Sequence, residues 1–228
     1  MMEAKIRKPA VAGSFYAGDA KELRQDVQNC FSRCKNPLME NVQAVIVPHA
    51  GYVFSGVTAA SAFAAINPDA EYEHIFLLGP SHHVYLGKAS VNIGASAYAT
   101  PLGNVPVDTA LCKDLMEKSD AITYAQEAHE SEHCLEVELP FLQYHMKKIP
   151  SIVPIIIATQ ELTTLKKIAD TLKPYLNEKN LFVISSDFSH YPAYKDAEIV
   201  DGLTKDSIMT GKVETFVNAT LHNQELDI

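Results

Sequence analysis

Three loops of this 228-residue chain place histidine directly after a short apolar run. Val45-Ile46-Val47 leads into Pro48-His49-Ala50-Gly51-Tyr52, and Ile75-Phe76-Leu77-Leu78 leads into Gly79-Pro80-Ser81-His82-His83. Leu181-Phe182-Val183-Ile184 leads into Ser185-Ser186-Asp187-Phe188-Ser189-His190. Continuous apolar runs of this length suit strands buried on both faces, and loops at the carboxyl ends of parallel strands form the ligand crevice of an open α/β sheet. If the three strands run parallel, the three loops meet in one crevice. One imidazole beside a strand is most often a hydrogen-bonded structural residue, but three at equivalent strand ends point to a site. Histidines with carboxylates bind first-row transition metals, and two histidines plus one carboxylate form the facial triad of non-haem Fe(II) oxygenases.

A second concentration of metal-capable and acid–base groups runs from His129 through Glu130, Glu132, His133, Cys134 and Glu136 to Glu138. His133 and Glu136 are three apart and can share a helix face. The same stretch also reads as a solvated acidic helix start, with glutamates near the positive end of the helix dipole. Both readings stay open at this level. Ser185, Ser186, Asp187 and His190 offer the ingredients of a hydrolytic triad, yet no Gly-x-Ser-x-Gly elbow occurs. Neither a phosphate-binding loop ending in Gly-Lys nor a Gly-x-Gly-x-x-Gly fingerprint is present, which disfavours nucleotide chemistry.

The elements that must carry these residues alternate. Asp19 with Glu22 predicts a capped helix start, and Leu23, Val27, Cys30, Phe31 and Cys34 form its apolar stripe until Asn36-Pro37. Strands are expected over 42–47, 75–78, 89–93, 151–158 and 181–185, with Pro154 marking an edge position or a bulge. Helices are expected over 55–66, 108–118, 135–148, 162–176 and 197–221, the last interrupted at Gly202 and Gly211. The pattern implies an α/β fold, one domain with a mostly parallel central sheet covered by helices. Lys and Arg number 19 against 28 Asp and Glu, and a net charge of −9 argues against a nucleic-acid or anionic-membrane surface. No apolar run approaches the length of a membrane span, no signal peptide is visible, and four cysteines are too few for a disulfide scaffold. A reduced, cytoplasmic protein is the expectation, with Cys30 and Cys34 as small packing residues on one helix face.

These motifs, in this order, resemble the Memo family, whose bacterial and archaeal members are also called AmmeMemoRadiSam system protein B. The match rests on Pro48 to Tyr52, Gly79 to His83, Glu132-His133 through Glu136 to Leu139-Pro140, and Ser185 to His190, with Ala12-Gly13-Ser14-Phe15-Tyr16 ahead of them. The resemblance implies a fold similar to class III extradiol dioxygenases. It implies His49 and His82 as metal ligands, and His133, Asp187 and His190 as catalytic neighbours lining the same cleft. Fe(II) or Cu is the implied ion, with a radical S-adenosylmethionine protein and an AMMECR1-like protein as implied partners. The family's third ligand is a cysteine in a later segment, and here no cysteine follows His190. The expectation is therefore a Memo-like domain over 1–228 short of that segment, with a weak or empty metal site. The function expected is a non-haem, metal-dependent oxidoreductase. The alternative is a non-catalytic module that binds a small molecule or phosphopeptide in the same cleft, with N–H groups of the Gly51-to-Gly56 turn serving an anion.

Overall fold

The computed structural model describes residues 5–34 and 38–225. Within this α/β fold the chain divides into two compact units, Met1–Ser186 and Asp187–Ile228.

The first unit holds two sheets. A small one orders β1 (Ile6–Arg7), β5 (Ala97–Thr100) and β6 (Gly103–Pro106), with β5 central. The six-stranded central sheet orders β2 (Ala44–Val47), β9 (Asn180–Ser185), β3 (His74–Pro80), β8 (Ile152–Ala158), β4 (Lys88–Val91) and β7 (Ile122–Thr123). The first four of these strands are mutually parallel, while β4 runs antiparallel to β8. Register aligns their carboxyl ends: Val47 lies opposite Ser185, Leu78 opposite Ile184, and Pro80 opposite Ile157. The expected parallel arrangement is therefore present, and the loops after β2 and β3 leave from one edge of the sheet.

Helices cover both faces. Packed together on one side are α1 (Ala20–Ser32), α2 (Tyr52–Ala64) and α5 (Leu139–His145), where Phe141 meets Phe31, Tyr52 and Phe63. Asp19 caps α1 by accepting from the N–H groups of Lys21 and Glu22 at 2.9 and 3.0 Å, a contact worth about 1 kcal/mol. The Asn36-Pro37 stop expected after α1 lies outside the described residues. Further helices are α3 (Thr109–Lys118), α4 (Glu127–Glu130) and α6 (Leu162–Leu172), the last continued by a 3-10 turn at Lys173–Tyr175. Tyr175 packs on Phe76, which stacks flat on Phe182 at 4.6 Å.

Two expectations need correction. Strand β8 is interior, not an edge, because β3 and β4 flank it. Pro154 is tolerated since β4 pairs only from Ile155 onward and Val107 bridges at Ile152, so no ladder partner on that side needs an N–H from residue 154. The helix expected over 135–148 opens instead as a 3-10 turn (Glu136–Glu138), and α5 proper ends at His145.

In the second unit α7 (Tyr194–Met209) packs on α8 (Val213–Glu225). Gly202 does not interrupt α7; one glycine in a helix interior costs about 1 kcal/mol, which a 16-residue helix absorbs. Gly211, at φ +65, does end it, in the left-handed conformation that glycine adopts without a Cβ clash. No helix among the described residues is long and apolar enough to cross a membrane.

Candidate metal centre

His49 enters the site because β2 ends at Val47, just before Pro48, and His82 because β3 runs through Gly79-Pro80 before releasing the chain. The third contributor is His133, on the segment between α4 and the 3-10 turn. The three rings form one cluster. Their centroids lie 5.2 Å apart for His49 and His82, 5.6 Å for His49 and His133, and 4.6 Å for His82 and His133. One ligand-capable nitrogen from each lies within 4.8 Å of the others. His49 is buried, His133 half-buried and His82 exposed, so the cluster opens toward solvent on the His82 side. Phe15 seats its ring edge against His133 at 4.8 Å, held there by the turn at Gly13 and by its carbonyl accepting from Tyr52 N–H at 2.8 Å.

Each ring has oxygen neighbours behind it. The Nδ1 of His49 lies 2.8 Å from Ser185 Oγ, which is also 2.8 Å from the Cys134 carbonyl and 2.9 Å from Glu138 Oε1. Ser185 has one proton to donate, and the Cys134 carbonyl and an ionised Glu138 can only accept it. The consistent assignment has His49 Nδ1–H donating to Ser185, leaving His49 Nε2 with its lone pair. The Nδ1 of His82 lies 2.8 Å from Glu132 Oε1, and that of His133 lies 3.4 Å from the same oxygen. Burial raises the Glu132 carboxyl, but the His82 N–H, the His82 ring and the Cys134 N–H outweigh it and hold the group at about 2. Cys134 is also near His82 and Glu132, yet burial pushes its thiol well upward and its Sγ–H donates to the Pro80 carbonyl at 3.2 Å. The imidazoles are thus the ready donors, and three neutral imidazoles suit a borderline first-row divalent ion. By the chemistry of its donor set, the cluster fits such an ion.

The acidic stretch read two ways from sequence divides between site and scaffold. Glu132, His133 and Glu138 belong to the centre. Glu136 and His129 are buried in a separate network: Glu136 accepts from Arg7 Nη1, Ala10 N, Val11 N and Tyr16 OH, and His129 bonds Ser90 Oγ at 2.9 Å and Tyr98 OH at 3.1 Å. Only Glu130 is a surface group, paired with Lys5. Asp187 and His190 fall in the second unit, where His190 Nε2 lies 3.8 Å from Asp187 Oδ2 and Nδ1–H donates to the Phe188 carbonyl at 2.9 Å. The triad reading loses one of its two serines, since the Ser185 hydroxyl is buried among His49, Glu138 and the Cys134 carbonyl. The proposed anion turn loses donors as well: Tyr52 N–H donates to Phe15, and Phe54 and Ser55 N–H donate to Gly51.

A cleft of about 580 Å³ adjoins the centre, with His82 and His83 on one wall and Leu78, Val84, Ile157 and Ile184 among its apolar surfaces. Gly79 sits on its floor and admits no side chain. A Cβ there would stand 2.5 Å from Cys134 Sγ and 2.9 Å from Leu135 Cδ2. Gly79→Ala is expected to cost about 1–3 kcal/mol by overpacking. Adding Cys134→Ala should recover most of the loss, and urea titrations of the two variants test this. Equal stability of the single variant and the parent would show that the segment yields freely.

A mostly parallel α/β sheet carrying a histidine cluster at its carboxyl edge defines a class of potential metal-binding proteins. The profile of the Memo family, described as Memo-like protein, matches residues 7–226, and the chain belongs to that family. A MEMO1 family protein of Methanopyrus kandleri is 35% identical over 214 residues, covering 87% of this chain and 75% of that protein. One of Nitrosopumilus maritimus is 33% identical over 228 residues, covering 96% and 81%. One of Schizosaccharomyces pombe is 37% identical over 198 residues, covering 83% and 62%.

Proposed function

We propose that this chain is a metal-dependent oxidoreductase of the non-haem type, with His49 and His82 as ligands to Fe(II) or Cu. The observation that carries the reading is the convergence of His49, His82 and His133, with an oxygen 2.8 Å from Nδ1 in each of the first two. A bound redox-active ion would supply Lewis acidity and one-electron chemistry beside the cleft. His133, half-buried beside the exposed His82, is assigned to hold or move a proton at its ring nitrogen. The cleft combines apolar surfaces from Leu78, Val84, Ile157 and Ile184 with hydroxyl, amide and imidazole groups, and suits a small organic substrate.

Anaerobic reconstitution with Fe(II) or Cu(II), followed by elemental analysis, tests the ligand assignment. His49→Ala and His82→Ala are each expected to lower bound metal more than tenfold while leaving the thermal midpoint of the metal-free protein near that of the parent. Unchanged metal content in both variants would overturn the assignment. Oxygen uptake by the reconstituted protein with catechols then tests the oxidoreductase reading.

A further inference from the structure

The metal reading leaves open what orients the exposed member of the cluster. His82 is the least enclosed of the three, with a side chain 36% exposed, so packing alone does not hold its ring. Glu132 does the opposite of what an acidic surface residue does. It is 3% exposed and is enclosed by donors from the site itself. Its Oε2 accepts from His82 N–H at 2.7 Å; its Oε1 accepts from His133 N–H at 2.9 Å and Cys134 N–H at 3.1 Å. The His82 ring adds its Nδ1 at 2.8 Å, and the His133 ring brings its Nδ1 to 3.4 Å. Both carboxylate oxygens are therefore engaged, which leaves Glu132 poorly suited to ligate an ion itself.

An ionised carboxylate only accepts, so the ring nitrogen facing it must carry the proton. A neutral imidazole protonated at Nδ1 keeps its lone pair on Nε2. Free histidine in water favours the other tautomer, so the Nδ1–H form is imposed by the neighbour. From this geometry we propose that Glu132 is a positioning residue that locks His82 as an Nδ1–H imidazole whose Nε2 lone pair is offered for metal binding. The proposal rests on the metal reading for its purpose but not for its tautomer. It also gives Glu132 a distinct second task, since the same carboxylate pins the backbone on both sides of the centre: residue 82 after β3, and residues 133 and 134 before the 3-10 turn. Partners of this kind are typically worth 10–100-fold in metal affinity.

Two measurements test it. In the metal-free, ¹⁵N-labelled wild-type chain at about pH 8, where imidazoles are neutral, long-range ¹H–¹⁵N correlations are expected to show His82 with a protonated Nδ1 and an unprotonated Nε2. The signal is assigned by its loss in His82→Ala. In Glu132→Gln, His82 is expected to shift toward the Nε2–H form, and the affinity for Zn²⁺, used alone as a redox-inert probe, is expected to fall 10–100-fold. Glu132→Asp should restore part of both. A wild-type His82 protonated at Nε2 overturns the proposal even if Glu132→Gln fails to fold. So does a folded Glu132→Gln with unchanged tautomer and Zn²⁺ affinity. Wild-type protein that binds no divalent ion would sink the metal reading instead, and the tautomer would still decide the role of Glu132.

Discussion

Glu136→Ala is expected to be the most damaging single substitution in the first unit, at about 3–5 kcal/mol of stability. The carboxylate is fully buried and has four donors: Arg7 Nη1 and Tyr16 OH at 2.5 Å, Ala10 N at 2.6 Å and Val11 N at 3.1 Å. Removing it strands the Arg7 guanidinium, whose side chain is only 5% exposed, without a counter-charge. Three further donors lose their acceptor at the same time, each at about 1–3 kcal/mol when buried, although such penalties do not add. The reverse change is milder. Arg7→Met deprives the His129 and Glu132 carbonyls of donors but leaves Glu136 with Ala10, Val11 and Tyr16. Guanidinium chloride unfolding of both variants checks the asymmetry, and equal losses would refute it. The effect should reach the site, because the residues that Glu136 holds lead directly into Phe15, which rests on His133.

The second large effect is expected with acid. Burial, reinforced by the positive charge of Arg7, depresses the imidazolium of His129 from its ordinary 6.5 to about 3. The folded state keeps His129 neutral while the unfolded chain takes up a proton below pH 6.5. More protons are then bound in the unfolded state, so stability falls as pH falls, by about 1.4 kcal/mol per unit once the unfolded imidazole is charged. The loss continues toward pH 3, where the folded imidazole also protonates. Glu132 acts in the same direction lower down: its carboxyl is held at about 2 against an ordinary 4.5, so its contribution is present above 4.5 and lost as pH falls through that window. His129→Gln, which can still bond Ser90 and Tyr98, should flatten the slope between pH 6.5 and 5, a difference of roughly 2 kcal/mol. Parallel stability curves for parent and variant would remove His129 as the cause.

What could be read from residues alone follows a physical boundary. His49 and His82 were legible because each sits a few residues past an uninterrupted apolar strand, and strand ends place their loops predictably. The role of Ser185 was not, because the groups it bonds lie 136, 51 and 47 residues away in sequence. Residues 129–140 could be read as surface or site because composition cannot distinguish a solvated glutamate from one buried against Arg7. Only tertiary contact separates Glu130, exposed beside Lys5, from Glu136. The short strands β1, β5, β6 and β7 escaped notice for a related reason. Stretches such as Ala97-Tyr98-Ala99-Thr100 and Gly103-Asn104-Val105-Pro106 carry little strand preference and are extended because they pair with each other. Pro154 misled because it marks a local gap in pairing rather than the rim of the sheet.

The place of β9 has a consequence for how the molecule is made. Strands β2 and β3, which bear His49 and His82, are not neighbours; the last strand in sequence slots between them. A nascent chain through Pro150 already contains all three histidines, yet it has neither the strand that sets the spacing of their loops nor the Ser185 hydroxyl behind His49. The three imidazoles are thus synthesised early and brought into register late, by a pairing of high sequence separation of the kind that slows folding. On the proposed metal reading, an ion meeting the growing polypeptide would find imidazoles without a cage, and loading would belong after synthesis, on the finished sheet.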